Sequence, residues 1–428
     1  MPWPRVCSTH PIAKESRMFH RRLLAAALVA ATTCLWPLAA TAAKPTPAEA
    51  TENPPTLSAA ALLPDPVLVG PNHSVDDKVV NDGYINTYII HTPKSGDLRV
   101  ESTAKLYATI QELNAAAAMD QVNAGAEIGK SVAKSAAGAV TGAFNLIVHP
   151  ADSLSNVGKS FSRATTKSDR PTGDDGTVGE LLGYNRAKRE YAKAFAVNPY
   201  SDNPVLQKSL KRLAGAGFFG SFAASAAIPG GAALTFINNA NLIPQSAVDV
   251  SIPPEDLFAS NRERLKAMGV SPEQAELFVE NPNFDPILQT RFVLALDRMT
   301  NVAGRPAFVK FALFTNNADL AFFRTRMAEL YANLSATTDP IKSFITAGKF
   351  VLAETQNGGI LAAFPLDYLA WTPGVADIAA ILGDAATAKG AKIKKLVIAG
   401  EVSPMAAKAL KKGGWTLVQL REGLRASR

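Results

Sequence analysis

The chain is poor in charge, in aromatic residues and in cysteine. Of its 428 residues, 19% are charged and 7% are aromatic, and it holds two cysteines and five histidines. Two cysteines exclude a disulfide scaffold. A net charge of +7 over this length excludes a nucleic-acid binder unless the charge is clustered. Since 47% of the residues are hydrophobic, a disordered chain is excluded too. Composition alone indicates no reaction.

The first positive signal is a targeting segment. Arg21 and Arg22 precede an uncharged apolar run, residues 23–38, and small residues follow up to Ala43. This order is typical of a secretory signal peptide, cleaved after Ala42 or Ala43. The basic patch follows Met18 directly, which makes Met18 a second candidate for the true start.

Two alternatives to a cleaved signal peptide remain. An uncleaved anchor helix needs about 20 apolar residues, and residues 23–38 are fewer. A lipoprotein needs a cysteine just after the apolar run, but the run continues past Cys34. We therefore expect an exported protein, periplasmic or extracellular, with peripheral membrane association as an open possibility.

Removal of residues 1–43 changes the charge and the thiol content. Five basic residues and one acidic residue go with the segment, which leaves 39 basic and 36 acidic residues and a net charge of +3. Both Cys7 and Cys34 are lost as well. The mature chain therefore has no thiol chemistry.

The pattern along the mature chain predicts a mainly α, multi-helical fold. A small N-terminal β-hairpin is expected at residues 84–101, and a small C-terminal α/β (strand-helix-strand) unit ends the chain. The predicted segments are a flexible Pro/Ala-rich leader (44–78), the hairpin with Ala/Gly-rich helices (79–163), a linker (164–177), a helical domain (178–354) and the α/β unit (355–428).

Residues 213–248, here called the uncharged segment, hold no charged residue. Their length would suffice to span a bilayer. However, Pro229 followed by two glycines interrupts the helix, and the basic residues flank the end that the positive-inside rule disfavours. A buried helical hairpin is therefore favoured, with surface insertion through Phe218, Phe219 and Phe222 as the alternative.

Several segments contain the residues of a known motif but not the sequence context that the motif requires. Residues 215–220 read Gly-x-Gly-x-x-Gly, but no strand precedes them and no acidic residue follows about 20 positions on. Ser102-x-x-Lys105, residues 201–203 (Ser-Asp-Asn) and residues 94–96 (Lys-Ser-Gly) are similar to fragments of serine β-lactamases, but in the wrong chain order. The mature histidines are far apart, and no ligand spacing is complete. We expect no cofactor and no metal.

One pair of residues is a candidate catalytic site. Asp367 follows a predicted strand, and Ser403 follows the predicted strand at residues 394–400. If these strands pair in parallel, the two side chains lie near the carboxyl ends of the strands, where active sites of α/β units form. The alternative is that both residues cap helices.

Basic residues cluster over 27 positions, on either side of a turn rich in Pro and Asn. Such a cluster would bind an anionic lipid or polysaccharide surface, or form a solvated helix face. The cluster, here called the basic helices, consists of Arg186, Lys188, Arg189, Lys193, Lys208, Lys211 and Arg212.

Two functions follow as hypotheses. The first is a non-enzymatic envelope protein that contacts a membrane or another envelope component through the basic helices and the uncharged segment. The second is a periplasmic, hydrolase-like enzyme with its site near Asp367 and Ser403. The sequence favours the first, predicts no nucleic-acid partner and leaves the oligomeric state open.

Overall fold

The computed structural model describes residues 50–93, 95–121, 176–215 and 248–425. The predicted signal peptide, the core of the linker at 164–175 and residues 216–247 of the uncharged segment lie outside the described residues. Contacts group Ala50–Arg428 as one unit.

An antiparallel sheet of six strands opens the described chain. Its strands are β1 (Thr56–Ser58), β2 (Val69–Gly70), β3 (His73–Val75), β4 (Lys78–Asn81), β5 (Asn86–Thr92) and β6 (Gly96–Glu101). They run in the order β1-β4-β5-β3-β2, and β6 pairs with the long strand β5. Two short helices, α1 (Ala59–Leu62) and α2 (Asp65–Leu68), connect β1 to β2.

The predicted N-terminal hairpin is confirmed as β5 and β6, which pair antiparallel with Tyr88 opposite Val100. Alternate residues of β5 are buried, including Tyr88 and Ile90, as expected for a strand with one face on a core. The ordered chain reaches further towards the N-terminus than the sequence analysis expected. Residues 56–75, assigned to the flexible leader, form β1 to β3 and both short helices.

Eight longer helices follow among the described residues. They are α3 (Thr103–Gln121), α4 (Gly176–Ala194), α5 (Pro204–Gly215), α6 (Pro254–Ala267), α7 (Pro272–Val279), α8 (Pro286–Asp297), α9 (Arg305–Ala312) and α10 (Ala318–Thr337). Local signals set several of their N-termini. Ser271, Asp285 and Asn317 each accept backbone N–H bonds at the start of α7, α8 and α10.

A five-stranded mixed sheet forms most of the C-terminal part. Its strands are β7 (Ile341–Ala347), β8 (Phe350–Thr355), β9 (Ile360–Phe364), β11 (Lys394–Ile398) and β13 (Trp415–Gln419), in the order β13-β11-β9-β8-β7. Between them lie β10 (Tyr368–Leu369), α11 (Pro373–Ala388), β12 (Glu401–Val402) and α12 (Pro404–Lys412), and β10 pairs with β12. The strands β11 and β13 are parallel around α12, which confirms the predicted strand-helix-strand unit.

The predicted fold class is wrong, because the protein is not mainly helical. Three sheets of six, five and two strands make it a mixed α and β fold. The hairpin of β7 and β8 covers the end of the segment 178–354, which was predicted as a helical domain, and extends one residue beyond it. Each strand contains β-branched and aromatic residues, but its apolar run is short, and β7 follows the long helix α10 after three residues. Short apolar runs of this kind do not distinguish a strand from a helix.

The described part of the chain contains three hydrophobic clusters. The largest joins helices α6 to α12 with the C-terminal sheet, and one smaller cluster lies under the N-terminal sheet. The third packs α3, α4 and α5 together and contains both ends of the uncharged segment, Leu213 and Val248, each 2% exposed. No helix among the described residues is long and apolar enough to cross a bilayer.

Candidate functional site

Asp367 lies directly before β10 and joins the C-terminal sheet to the N-terminal sheet. Its carboxylate is buried and accepts two backbone hydrogen bonds, from the N–H of Asn86 at 2.9 Å and from the N–H of Thr103 at 2.9 Å. Thr103 is the first residue of α3. Asp367 therefore caps a helix that begins 264 residues earlier in the chain.

Burial raises the pKa of the Asp367 carboxyl to about 6, although the two backbone N–H donors favour the ionised form. A polar network continues from these partners. Asn86 donates to the Tyr88 hydroxyl at 3.0 Å, and that hydroxyl lies 2.8 Å from Oγ1 of Thr103. The polar groups around Asp367 thus find their hydrogen-bond partners within the protein.

Ser403 also caps a helix. Its Oγ accepts from the N–H of Ala406 at 3.0 Å, at the start of α12, and donates to the carboxylate of Glu52. Since Pro404 follows at the first helical position, the local sequence already specifies this cap.

The two predicted strands, β9 and β11, pair in parallel with Phe364 opposite Ile398, which brings the segments of Asp367 and Ser403 together. The strands β10 and β12 are parallel, with Leu369 opposite Val402, and the N–H of Ser403 bonds the carbonyl of Leu369 at 2.9 Å. Gly400 lies so close to the Asp367 carbonyl that a Cβ there would stand 1.7 Å from its oxygen. Among the described residues, however, no hydrogen bond joins the two side chains. Both hold helix starts, which is the alternative that the sequence left open.

A cavity of about 550 Å³ lies where β9 ends and β8 begins. Helices α10 and α11 contribute to its wall, as do the start of α3 and the turn between β4 and β5. Most of the lining is hydrophobic, with Phe311, Phe323, Phe350, Phe364, Ile378 and Trp415 as its large side chains. Neither Asp367 nor Ser403 is among the residues that line it.

Ser102 lines the cavity at the junction of β6 and α3 with a left-handed φ of 74°. Such a backbone conformation costs about 1–3 kcal/mol in a residue with a side chain and recurs at functional sites. Its Oγ accepts from the N–H of Lys105 at 3.2 Å, so it too serves as a helix cap.

Lys105 does not serve Ser102 as a base. Its Nζ lies 2.6 Å from Asp319 and 3.0 Å from Asp202. Burial acts to lower the pKa of Lys105, but the hydrogen bond to Asp319 and the charge of Asp202 outweigh it and raise that pKa. The fragment Ser102-x-x-Lys105 thus meets the Ser-Asp-Asn fragment at residues 201–203, and Lys105 stays protonated.

Two arginines of α10, Arg324 and Arg326, line the cavity and are both buried. Arg326 bonds the carboxylates of Glu329 at 3.2 Å and Glu422 at 2.7 Å. Arg324 instead bonds Oγ1 of Thr315 at 2.7 Å and the carbonyl of Ala312 at 3.3 Å. The sequence analysis did not select either residue. The available signal was a pair of arginines inside a helix whose neighbours are apolar.

The basic helices are α4 and α5, which pack side by side. Three of their cations have partners within the protein. Arg189 donates to the carbonyl of Ser251, Lys193 pairs with Asp249, and Arg212 lies 3.5 Å from Asp120. Arg186, Lys208 and Lys211 are exposed. Lys188 is half-buried, and burial together with the charge of Lys211 lowers its pKa.

The remaining candidates have no structural outcome. Phe218, Phe219 and Phe222 lie outside the described residues. Within the described ranges, no group of three His, Cys, Asp or Glu side chains is placed to hold a metal ion.

Comparison with family models, with curated proteins and with solved structures finds no match for this chain.

Proposed function

We propose that this protein is an exported, non-enzymatic binding protein of the cell envelope that holds an apolar molecule in its cavity. The observation that carries the proposal is the cavity itself. Its volume of about 550 Å³ and its largely hydrophobic wall fit the usual properties of small-molecule sites.

A binding role is supported over a hydrolytic one by the use of the candidate catalytic groups. Asp367 and Ser403 both hold helix starts and do not line the cavity. Lys105, the nearest candidate base for Ser102, is paired with two carboxylates. Export is supported by the signal-peptide pattern of residues 1–43.

The energetics favour a ligand with a long aliphatic part. Burial of a methylene group contributes about 0.8 kcal/mol, so ten such groups contribute about 8 kcal/mol before the costs of association. An aliphatic chain therefore gains enough from this wall to bind without a covalent bond or a metal.

Filling the cavity is expected to remove binding. Ala379 of α11 lines the cavity, so Ala379→Phe places an aromatic ring in the space that a ligand would occupy. The dissociation constant of a neutral apolar dye, Nile red, is expected to rise about tenfold or more, measured by fluorescence titration.

The neighbouring alanine gives a matched control. Ala380 is exposed on the same helix and does not line the cavity, so Ala380→Phe makes the same change outside it. Nile red binding by this variant is expected to equal that of the unchanged chain. Equal binding by both variants, or no binding by the unchanged chain, would contradict the proposal.

We propose contact with an anionic membrane surface as a second candidate function. It is supported by Lys188 and Lys211, cations of neighbouring helices; burial, and then the nearby charge of Lys211, lower the pKa of Lys188. Lys208, one turn before Lys211, adds a third charge near the same face and is exposed. A surface of lipid phosphates would relieve this repulsion.

Removal of two of these charges is expected to weaken vesicle binding. The double variant Lys208→Gln, Lys211→Gln should bind phosphatidylglycerol vesicles about thirtyfold less tightly in a sedimentation assay, since each charge contributes about 1 kcal/mol. The control is Lys408→Gln, Lys411→Gln, which removes two exposed lysines at the same spacing on α12. An equal effect of both double variants would refute a contact through α4 and α5.

A further inference from the structure

Arg324 brings a positive charge to the cavity wall without an acidic partner. The residue is 7% exposed, and among the described residues no carboxylate lies within ion-pair distance of its guanidinium. Burial lowers the pKa of Arg324 to about 10, because the charged form has lost its water. A buried charge of this kind is costly unless something compensates it.

The neighbouring buried arginines are compensated by acidic partners. Arg326, two residues further along α10, is flanked by Glu329 and Glu422. Arg291, also buried, pairs with Glu329 at 2.7 Å. The protein therefore supplies carboxylates to its other buried guanidinium groups in this region but not to Arg324.

The orientation of Arg324 leaves one edge of its guanidinium group without partners. Its two hydrogen bonds both come from Nη1, and Cζ lies over the Phe311 ring, 4.4 Å from the ring centroid. Nε is buried without a hydrogen-bond partner. Nη2 also donates no hydrogen bond among the described residues, but it is not one of the fully buried atoms, so it is the donor that a carboxylate oxygen can reach.

We propose that the molecule held in the cavity is an amphipathic carboxylate, whose head accepts a hydrogen bond from Nη2 of Arg324 and whose aliphatic part fills the hydrophobic space. This inference rests on the proposed binding function and specifies its ligand class. Among the described residues Arg324 is the buried cation of the cavity wall that has no acidic partner, and a monoanion balances its charge one to one. The hydrophobic wall of Phe323, Phe350 and Ile378 then takes the aliphatic part.

The test compares two probes of equal chain length that differ only in their head group. Laurate carries a carboxylate and dodecan-1-ol a neutral hydroxyl, and each displaces Nile red from the protein in a fluorescence competition assay. The unchanged chain is expected to bind laurate about tenfold or more tightly than dodecan-1-ol.

The variant Arg324→Gln removes the charge. It is expected to lower laurate affinity about tenfold to a hundredfold and to leave dodecan-1-ol affinity unchanged, since only the charged head meets Arg324. The matched control is Arg298→Gln, which removes an exposed arginine at the end of α8 and should change neither affinity.

The outcomes separate the two proposals. If both probes displace Nile red equally from the unchanged chain, the anionic head is refuted while the apolar cavity stands. If Arg324→Gln weakens both probes equally, Arg324 acts on the shape of the cavity and the inference is again refuted. If neither probe nor Nile red binds the unchanged chain, the proposed function itself fails. The comparison on the unchanged chain needs no variant, so it decides even if Arg324→Gln does not fold.

Discussion

Asp367→Ala is expected to lower the free energy of unfolding by about 2 to 6 kcal/mol, measured by urea denaturation. The change removes the acceptor of two buried backbone N–H groups, those of Asn86 and Thr103. Each buried donor without a partner costs about 1–3 kcal/mol. The same change removes the hydrogen bond that joins the start of α3 to the C-terminal part of the chain.

The effect is expected to depend on pH. The pKa of Asp367 is about 6 in the folded protein and 3.8 as the ordinary value. The folded state therefore binds more protons than the unfolded state between these values, and the contribution of Asp367 to stability falls as pH rises through about 6. We expect the loss caused by Asp367→Ala to be about 1 kcal/mol larger at pH 5 than at pH 7.

Asp82 provides the control for Asp367. Its carboxylate also accepts from two backbone N–H groups, those of Tyr84 at 2.9 Å and Ile85 at 2.8 Å, but it is exposed. Water can replace it, so Asp82→Ala is expected to cost about 1 kcal/mol. Equal losses in the two variants would show that burial of the cap does not matter. Full stability of Asp367→Ala together with loss of a biological activity would favour the catalytic role instead.

The parts of the fold that the sequence predicted are those with local signals. The C-terminal unit has a Ser403-Pro404 helix start, a Gly413-Gly414 helix end and a short apolar run on either side. The hairpin of β5 and β6 has a turn at Gly96 with a φ of 75°, which glycine adopts without strain. In both cases the information lies within about 25 residues of sequence.

The strands that were missed carry little local information. The strands β1, β2 and β3 have only two or three residues each, too few for alternation of apolar and polar residues to show. β8 is buried at four of its six positions, so it does not alternate cleanly either. The mainly helical prediction failed because these strands are defined by their pairing partners and not by their own pattern.

The candidate site divides in the same way. The parallel-strand argument correctly placed Asp367 near Ser403, but their bonding partners Asn86, Thr103 and Glu52 are hundreds of residues away in sequence. No local pattern contains such contacts. The two arginines of the cavity wall are the clearest example, because they lie on the same helix and yet have different partners.

Arg324 and Arg326 are both buried on α10, and only the folded chain shows that Arg326 meets Glu422, 96 residues further on. Arg324 meets no acid among the described residues. The sequence therefore shows that both arginines are present, but not that only one of them has acidic partners. The absence of such a partner at Arg324 is the observation that indicates a ligand.

The buried network around Arg326 gives the other large prediction. Glu329 is 0% exposed, and its two oxygens bond two arginines, Oε1 to Arg291 at 2.7 Å and Oε2 to Arg326 at 3.2 Å. Both arginines are themselves buried, so water cannot replace the carboxylate. The free energy of unfolding depends on this glutamate because it is the charge that both cations share.

Glu329→Ala is expected to lower the free energy of unfolding by about 3 to 5 kcal/mol, because it leaves two buried guanidinium groups with one carboxylate, Glu422, between them. Chemical denaturation at pH 7 measures the loss. The control is Glu354→Ala, which removes a glutamate paired with the exposed Lys342 at 3.0 Å and is expected to cost about 1 kcal/mol or less. If the two variants unfold at the same denaturant concentration, the network does not contribute to stability. Loss of stability in Glu329→Ala alone would show that the ion pairs of Arg291 and Arg326 with this buried carboxylate stabilise the fold.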